Sequence, residues 1–226
     1  IVTGASQGIG ESIVKMLLSG GYEVYGISRR PVNFAGNDHH ISFDLGQPTR
    51  ISALVKKLPH HIDVLVNNAG LWFEKRIDEI QLSDINSALF LNFYTPVILT
   101  ANLLSRMPKN SHIVNISSVM AVVTDPGYSL YCASKAALDR FTSVLAKEHP
   151  DLTIVGVLPS GTDTPGMRAS TSDPNGLLNP QAISTVVSDV LSGKYKSGSF
   201  IPILNNRSRN WWGERDSYDQ VVDIKS

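Results

Sequence analysis

Tyr131 and Lys135 stand four residues apart in the stretch Tyr131-Cys132-Ala133-Ser134-Lys135. On a helix, side chains at i and i+4 are neighbours on one face. A cation beside a phenol favours the phenolate, so this spacing predicts a tyrosine pKa below its usual value of about 10 and a proton that can exchange near neutrality. An isolated Tyr/Lys pair is more often decoration on a solvated helix face. Its meaning depends on the rest of the chain.

Two further groups fall in positions where they can join such chemistry. Ser117-Ser118 follows the apolar run His112-Ile113-Val114-Asn115-Ile116, which reads as a strand, and Ser118 precedes Tyr131 by thirteen positions. A serine at a strand tip can hydrogen-bond a substrate oxygen, although capping a turn is its commoner use. Neither serine sits in a Gly-x-Ser-x-Gly elbow, which argues against nucleophilic hydrolysis. Asn92 lies in a long helical pattern from Leu82 to Met107, and Pro96, four residues on, has no N–H to give its carbonyl. That kink leaves the Asn92 carbonyl available to a water.

The elements that must position these groups are read in chain order. Ile1-Val2-Thr3 is the end of a buried strand. Gly4-Ala5-Ser6-Gln7-Gly8-Ile9-Gly10 turns from it into a helix carrying Ile13, Val14, Leu17 and Leu18. A glycine-rich turn ahead of a helix N-terminus can receive a phosphate, since backbone N–H groups and the positive dipole end point at it. A second strand over 22–27 closes a βαβ unit and ends at Ser28-Arg29-Arg30. A carboxylate at that tip would hold ribose hydroxyls, whereas arginine attracts a 2′-phosphate, so Ser28, Arg29 and Arg30 favour NADP(H) over NAD(H). Gln7 adds no positive charge.

Residues 39–45 read as a third strand, with Asp44 at its end near a possible adenine edge, and 47–58 as a helix stopped by Pro59. The apolar run 62–66 is a buried parallel strand, and Asn67-Asn68-Ala69-Gly70 its exit loop, where ligands of open α/β sheets bind. The two amides suit a loop that fixes its own backbone. A helix runs from Tyr131 to His149, a sixth strand from Leu152 to Leu158, and Pro159-Ser160-Gly161-Thr162-Asp163-Thr164 leaves it. Residues 165–180, rich in Gly, Pro, Ser, Thr and Asp, are expected to form a lid. A helix over 180–192 and an edge strand over 200–204 follow. Trp211-Trp212 in the tail are expected to pack on the core or line a pocket.

Composition narrows the partners. With 226 residues, 42% hydrophobic and 18% charged, a single α/β domain over 1–226 is expected. Lys plus Arg and Asp plus Glu each total 20, so no basic surplus drives nucleic-acid or anionic-membrane binding. Cys132 stands alone and forms no internal disulfide, which fits a reducing cytoplasm. No apolar run approaches a membrane span and no signal core opens the chain. The chain lacks an initiator Met and opens inside a strand, so residues are expected ahead of Ile1. The pairs His39-His40 and His60-His61 lack a matching Cys or Glu set and read as solvated loop histidines; no metal site is expected.

Taken together, Thr3-Gly4-x-x-x-Gly8-Ile9-Gly10, Asp44, Asn67-Asn68-Ala69-Gly70, Asn92, Ser118, Tyr131-x-x-x-Lys135 and Pro159 with Thr164 resemble the short-chain dehydrogenase/reductase family over nearly the whole chain. The resemblance implies a doubly wound, Rossmann-like α/β fold with a parallel seven-stranded sheet of order 3-2-1-4-5-6-7, and an NADP(H)-dependent carbonyl reductase acting as a homodimer or homotetramer. It implies that Tyr131 exchanges the proton, Ser118 orients the substrate oxygen, Lys135 binds the nicotinamide ribose and depresses the tyrosine pKa, and Asn92 holds a relay water. It implies that Thr3, Gly4, Ser6, Gly8, Ile9 and Gly10 surround the pyrophosphate. Ser28, Arg29 and Arg30 would meet the 2′-phosphate, Asp44 and Leu45 adenine, and Asn68, Ala69 and Gly70 the adenosine and ribose. Pro159, Thr162 and Thr164 would lie at the nicotinamide. Ser160 replaces the family's usual glycine, and Trp72, Phe73, Met120, Tyr128 and Met167 are expected to form an apolar pocket for a bulky ketone. The competing reading, a catalytically silent NADP(H) sensor on the same fold, would need no intact Ser/Tyr/Lys set.

Overall fold

The computed structural model describes residues 1–32, 39–170, 175–205 and 208. Its strands are β1 (Val2–Thr3), β2 (Gly26–Ser28), β3 (His40–Ser42), β4 (Val64–Asn67), β5 (His112–Ile116), β6 (Thr153–Pro159) and β7 (Phe200–Ile203). They form one parallel sheet in the order β3-β2-β1-β4-β5-β6-β7. The main helices are α1 (Gly8–Ser19), α2 (Ile51–Val55), α3 (Leu82–Leu89), α4 (Thr95–Leu103), α5 (Ser129–Glu148), α6 (Pro165–Arg168) and α7 (Pro180–Leu191).

Strands buried on both faces need apolar residues throughout, which is why β4 to β6 read as continuous runs. Alternation sorts them by face. Val64, Val66, Val114, Ile116, Val155 and Val157 pack with Ile13, Val14 and Leu17 of α1 and Ile183, Val186, Val187 and Val190 of α7. Leu65, Ile113 and Ile154 face the other way, against Ile51 and Leu54 of α2, Leu99 and Leu103 of α4 and Leu145 of α5. Each such fully buried side chain contributes about 2 kcal/mol relative to exposure. The result is the doubly wound sheet that the motif order implied, with the exits of β1, β4, β5 and β6 at one edge.

Local differences have local causes. The second and third strands are shorter than the sequence pattern suggested, β2 starting only at Gly26 although the Tyr25 carbonyl accepts from the Val2 N–H at 2.9 Å. The segment expected as a helix over 47–58 begins as a 3-10 turn, Pro48–Arg50, and leaves the α conformation after Val55, where Lys57 and Leu58 bond back by three residues. Arg106 then caps it, its Nη1 donating to the carbonyls of Val55, Leu58 and Pro59 at 3.0, 3.0 and 3.2 Å.

The long helix divides around the expected kink: Phe90–Tyr94 forms a π turn between α3 and α4, and Asn92 is fully buried in it. Widening by one residue accommodates Pro96, which cannot donate to the Asn92 carbonyl. By length and composition, Leu82–Arg106 is long and apolar enough to cross a membrane, with a mean hydropathy of 1.4, contrary to the expectation that no run reaches such a length. In this structure it lies along the sheet, burying Ala88, Asn92, Thr95, Leu99, Thr100 and Leu103. Of the expected lid, α6 is formed, Thr164 capping it by accepting from the Met167 N–H, and Asp163 pairing with Arg168. Residues 171–174 of the lid, and Trp211-Trp212, lie outside the described residues.

The glycine turn is a packing requirement as well as a ligand loop. A Cβ at Gly10 would lie 2.2 Å from the Gly4 carbonyl oxygen, whereas one at Gly166 would meet nothing within 4 Å. Gly10→Ala is therefore expected to cost about 3 kcal/mol in urea unfolding, and Gly166→Ala less than about 0.5 kcal/mol.

Candidate active site

The site is assembled where β5 ends against α5. The residues leaving the strand, Ile116, Ser117 and Ser118, face successive turns of the helix. Lys135 Nζ donates to the Ile116 carbonyl at 3.0 Å, and the Ser118 hydroxyl faces the Tyr131 phenol and favours its ionised form. Ser118 Oγ also accepts from the Met120 N–H at 3.1 Å, so it caps the following turn as well as facing the phenol. Ser118, Tyr131 and Lys135 are all buried, at 6, 7 and 5% exposure.

Burial dominates their ionisation. It pushes the Tyr131 phenol up to about 12, with the Ser118 hydroxyl pulling the other way. It brings the Lys135 ammonium down to about 8, opposed by the Asp139 carboxyl. The expectation of a depressed tyrosine pKa is thus corrected. The i, i+4 spacing places the ammonium nearby, but desolvation of the phenolate outweighs that proximity and the ammonium is bound to the Ile116 carbonyl.

Asn92 acts as a rivet. Its Oδ1 accepts from the Leu71 N–H at 2.7 Å, and its Nδ2 donates to the Leu71 carbonyl at 2.9 Å and to Ser134 Oγ at 3.0 Å. Ser134 Oγ in turn donates to the Tyr131 carbonyl at 2.7 Å. The π turn, the exit of β4 and the start of α5 are so joined. A Cβ at Gly70 would stand 3.3 Å from Asn92 Oδ1 and 3.4 Å from Lys135 Nζ, so glycine there leaves room for both.

Thr3 plays the same part on the other side. Its Oγ1 accepts from the N–H groups of Asn68 and Ala69, both at 2.9 Å, and donates to the Val66 carbonyl at 3.3 Å. Asn68 Nδ2 donates to the Thr3 carbonyl at 2.8 Å. The amide of Asn68 therefore fixes the glycine turn rather than its own backbone, and Asn67 Nδ2 donates across the sheet to Asn115 Oδ1 at 2.8 Å.

A cleft of about 940 Å³ runs along this edge. Gly4, Ser6, Gly8, Ile9, Gly10, Ser28, Arg29, Arg30, Asp44, Leu45, Asn68, Ala69, Gly70, Ser118, Tyr131, Lys135, Pro159, Thr162 and Thr164 line it; Thr3 and Asn92 support it from behind. Trp72, Met120, Tyr128 and Met167 line it too. Phe73 instead faces an adjoining cavity of about 700 Å³, which Trp72 shares. Gln7, Leu177, Asn205 and Ser208 also line the cleft. Of these only Gln7 carried a sequence signal, its place inside the glycine turn; Asn205 and Ser208 arrive from beyond β7 without a motif. Ser160, in place of glycine, accepts from the Asn205 N–H at 2.9 Å and so ties the exits of β6 and β7 together.

At the far end, Arg30 Nη1 donates to Gln7 Oε1 at 3.0 Å. Ser28 Oγ donates to the Arg30 carbonyl at 2.8 Å and therefore accepts from His40 Nε2, also at 2.8 Å. His39, His40 and His61 are partnered rather than simply solvated: His39 stacks on Tyr25 with ring centroids 4.5 Å apart and pairs with Glu23, and His61 pairs with Asp63, both at 2.9 Å. Asp44 accepts from the Gly46 N–H at 3.0 Å and from Gln47 Nε2 at 3.2 Å. The first turn of α1 receives no side-chain cap from Gln7. Uncapped helix amides, two arginines and a lysine along one cleft fit an elongated anion carrying phosphates.

Fold and cleft together define a protein of the dinucleotide-binding, doubly wound class. A model of the short chain dehydrogenase family matches residues 1–175, and the chain belongs to the short-chain dehydrogenase/reductase family. It is 34% identical over 191 residues to L-xylulose reductase of Caenorhabditis elegans, covering 77% of this chain and 76% of that protein. It is 31% identical over 156 residues to 3-ketodihydrosphingosine reductase of Bacteroides thetaiotaomicron, covering 66% of this chain and 58% of that one. A solved short chain dehydrogenase from Burkholderia cenocepacia in complex with NADP superposes with a TM-score of 0.79 at 26% identity, covering 89% of this chain and 94% of that one.

Thr3→Val keeps the shape of the side chain but leaves two buried N–H groups without an acceptor. It is expected to destabilise the protein by about 2 kcal/mol in urea unfolding and to increase hydrogen exchange at Asn68 and Ala69.

Proposed function

We propose that the chain is an NADP(H)-dependent carbonyl reductase, converting a ketone or aldehyde to its alcohol. The observation that carries this reading is the burial of Ser118, Tyr131 and Lys135 together at one end of a cleft whose other end presents Arg29 and Arg30. The reductases among its relatives and the NADP complex of the Burkholderia cenocepacia protein support it.

A bound nicotinamide dinucleotide supplies the hydride. Gly4, Ser6, Gly8, Ile9 and Gly10 with the uncapped α1 amides would hold the pyrophosphate, with Thr3 fixing that turn from behind. Ser28, Arg29 and Arg30 would take the 2′-phosphate. Asp44 and Leu45 would flank adenine, Asn68, Ala69 and Gly70 the adenosine ribose, and Pro159, Thr162 and Thr164 the nicotinamide, whose ribose Lys135 would bind. Ser118 donates a hydrogen bond to the substrate carbonyl oxygen, and Tyr131 delivers its phenolic proton to the same oxygen. A phenol held near 12 keeps its proton throughout the neutral range, which suits the donor role. Asn92 keeps Tyr131 in place through Ser134, and its main-chain carbonyl is the group that would hold a relay water.

Trp72, Met120, Tyr128 and Met167 give the substrate end an apolar wall, with the Trp72 and Tyr128 ring centroids 5.9 Å apart. A bulky or aromatic ketone fits that wall. We further assign the chain, as one domain, to a homodimer or homotetramer formed through the long helices that contain Asn92 and Tyr131, where Leu82, Ile85, Tyr94 and Val144 are exposed. Its single Cys132 suits the reducing cytoplasm, and no nucleic-acid or membrane partner is proposed.

Tyr131→Phe is expected to lower kcat for ketone reduction by at least about 100-fold while leaving the Kd for NADPH within about threefold of the parent, measured by NADPH consumption and fluorescence titration. Equal turnover by parent and variant would overturn the assignment. Arg29→Ala is expected to weaken NADPH at least about tenfold with NADH little changed.

A further inference from the structure

One titratable group at this edge has no part in the mechanism above. Asp139 lies four residues beyond Lys135 and eight beyond Tyr131, on the same face of α5. It is 3% exposed, and neither carboxyl oxygen has a hydrogen-bond partner. The Ser117 hydroxyl, 5% exposed, is likewise without a bond of ordinary geometry, yet it faces Asp139 and favours the ionised carboxyl. So the three residues at the end of β5 answer three turns of one helix face: Ile116 meets Lys135, Ser117 meets Asp139 and Ser118 meets Tyr131.

An unpaired carboxyl in the interior costs stability and is retained only where something else depends on it. We propose that Asp139 is a positioning residue that keeps Lys135 in its ammonium form near neutral pH, with Ser117 helping Asp139 to stay ionised. The coupling runs through space, because Lys135 Nζ is bonded to the Ile116 carbonyl and no hydrogen bond reaches the Asp139 oxygens.

The ionisation of the two groups is consistent with this arrangement. Burial raises Asp139 to about 7, and Lys135 and Ser117 oppose the rise. Burial lowers Lys135 to about 8, and Asp139 opposes the fall. Other elements packed on α5 contribute little charge. Strand β6 carries no ionisable side chain, the π turn carries only the exposed phenol of Tyr94, and on α3 Asp84 is paired with Lys75 at 2.6 Å. The sign follows. Removing the Asp139 charge removes what holds the proton on Lys135, so its pKa falls, and the alkaline decline of activity moves toward neutrality.

This inference rests on the reading of Lys135 as the active-site cation, and its test separates the two. Protein labelled with [ε-13C]lysine is titrated by NMR, the Lys135 signal being assigned from Lys135→Arg, and kcat/KM is followed against pH for reduction of an aromatic ketone. In Asp139→Asn the Lys135 titration is expected to move down by at least about one pH unit, and the alkaline limb of kcat/KM to move with it. Ser117→Ala, a smaller perturbation of folding, is expected to shift both in the same direction by a smaller amount. An unshifted Lys135 titration in either folded variant, with activity lowered equally at all pH values, means that Asp139 is merely structural and overturns the proposal. A shifted Lys135 titration in a protein that reduces no carbonyl would uphold Asp139 while removing the assigned reaction.

Discussion

Everything at this edge depends on keeping an ammonium inside the protein. Lys135 is almost wholly buried, and its Nζ donates to the carbonyl of Ile116, the last residue of β5. Such a cation is tolerable only where fixed oxygen atoms replace its water. The register of β5 between β4 and β6 sets where that carbonyl points, with Ile113 opposite Leu65 on one side and Ile154 on the other. The helix period then sets the rest, since Tyr131 lies one turn before Lys135 and meets Ser118.

Support for that arrangement comes from short polar side chains spent on backbone. Thr3 holds the N–H groups of two residues in the β4 exit, Asn92 holds both backbone groups of Leu71, and Ser160 holds the Asn205 N–H. Behind them Asn67, Asn115 and Thr142 form a chain from β4 through β5 to α5, at 2.8 and 2.7 Å. Each unmet buried donor would cost about 1–3 kcal/mol, so these groups are stabilising only as a complete set.

Much of this was legible in the sequence where one constraint acted alone. β5 runs over His112–Ile116 as its apolar pattern indicates, and Pro96 marks the distortion around Asn92 because proline has no N–H to give. Pattern misled where partners decide the outcome. Residues 22–25 look like strand, but β2 is formed only over Gly26–Ser28. The Tyr131 pKa could not be read from its distance to Lys135, since the depth of burial is a property of the assembled fold. Asn205 and Ser208 reach the cleft from beyond β7 and carry no local signature. Asp139 belongs to no motif, and its burial and two unpartnered oxygens are properties of the assembled fold.

In the proposed reduction, the Tyr131 phenol would give its proton to the substrate oxygen and Ser118 would polarise the carbonyl while hydride arrives at the attached carbon. The most direct measurement is the fate of that hydride. Incubation with NADPH carrying deuterium in place of both hydrogens at the nicotinamide C4 position and an aromatic ketone, followed by mass spectrometry and NMR of the alcohol, reads it out. The account requires one deuterium, on the carbinol carbon and on a single face. An alcohol without deuterium, or cofactor bound with no alcohol formed from any ketone or aldehyde offered, would contradict it.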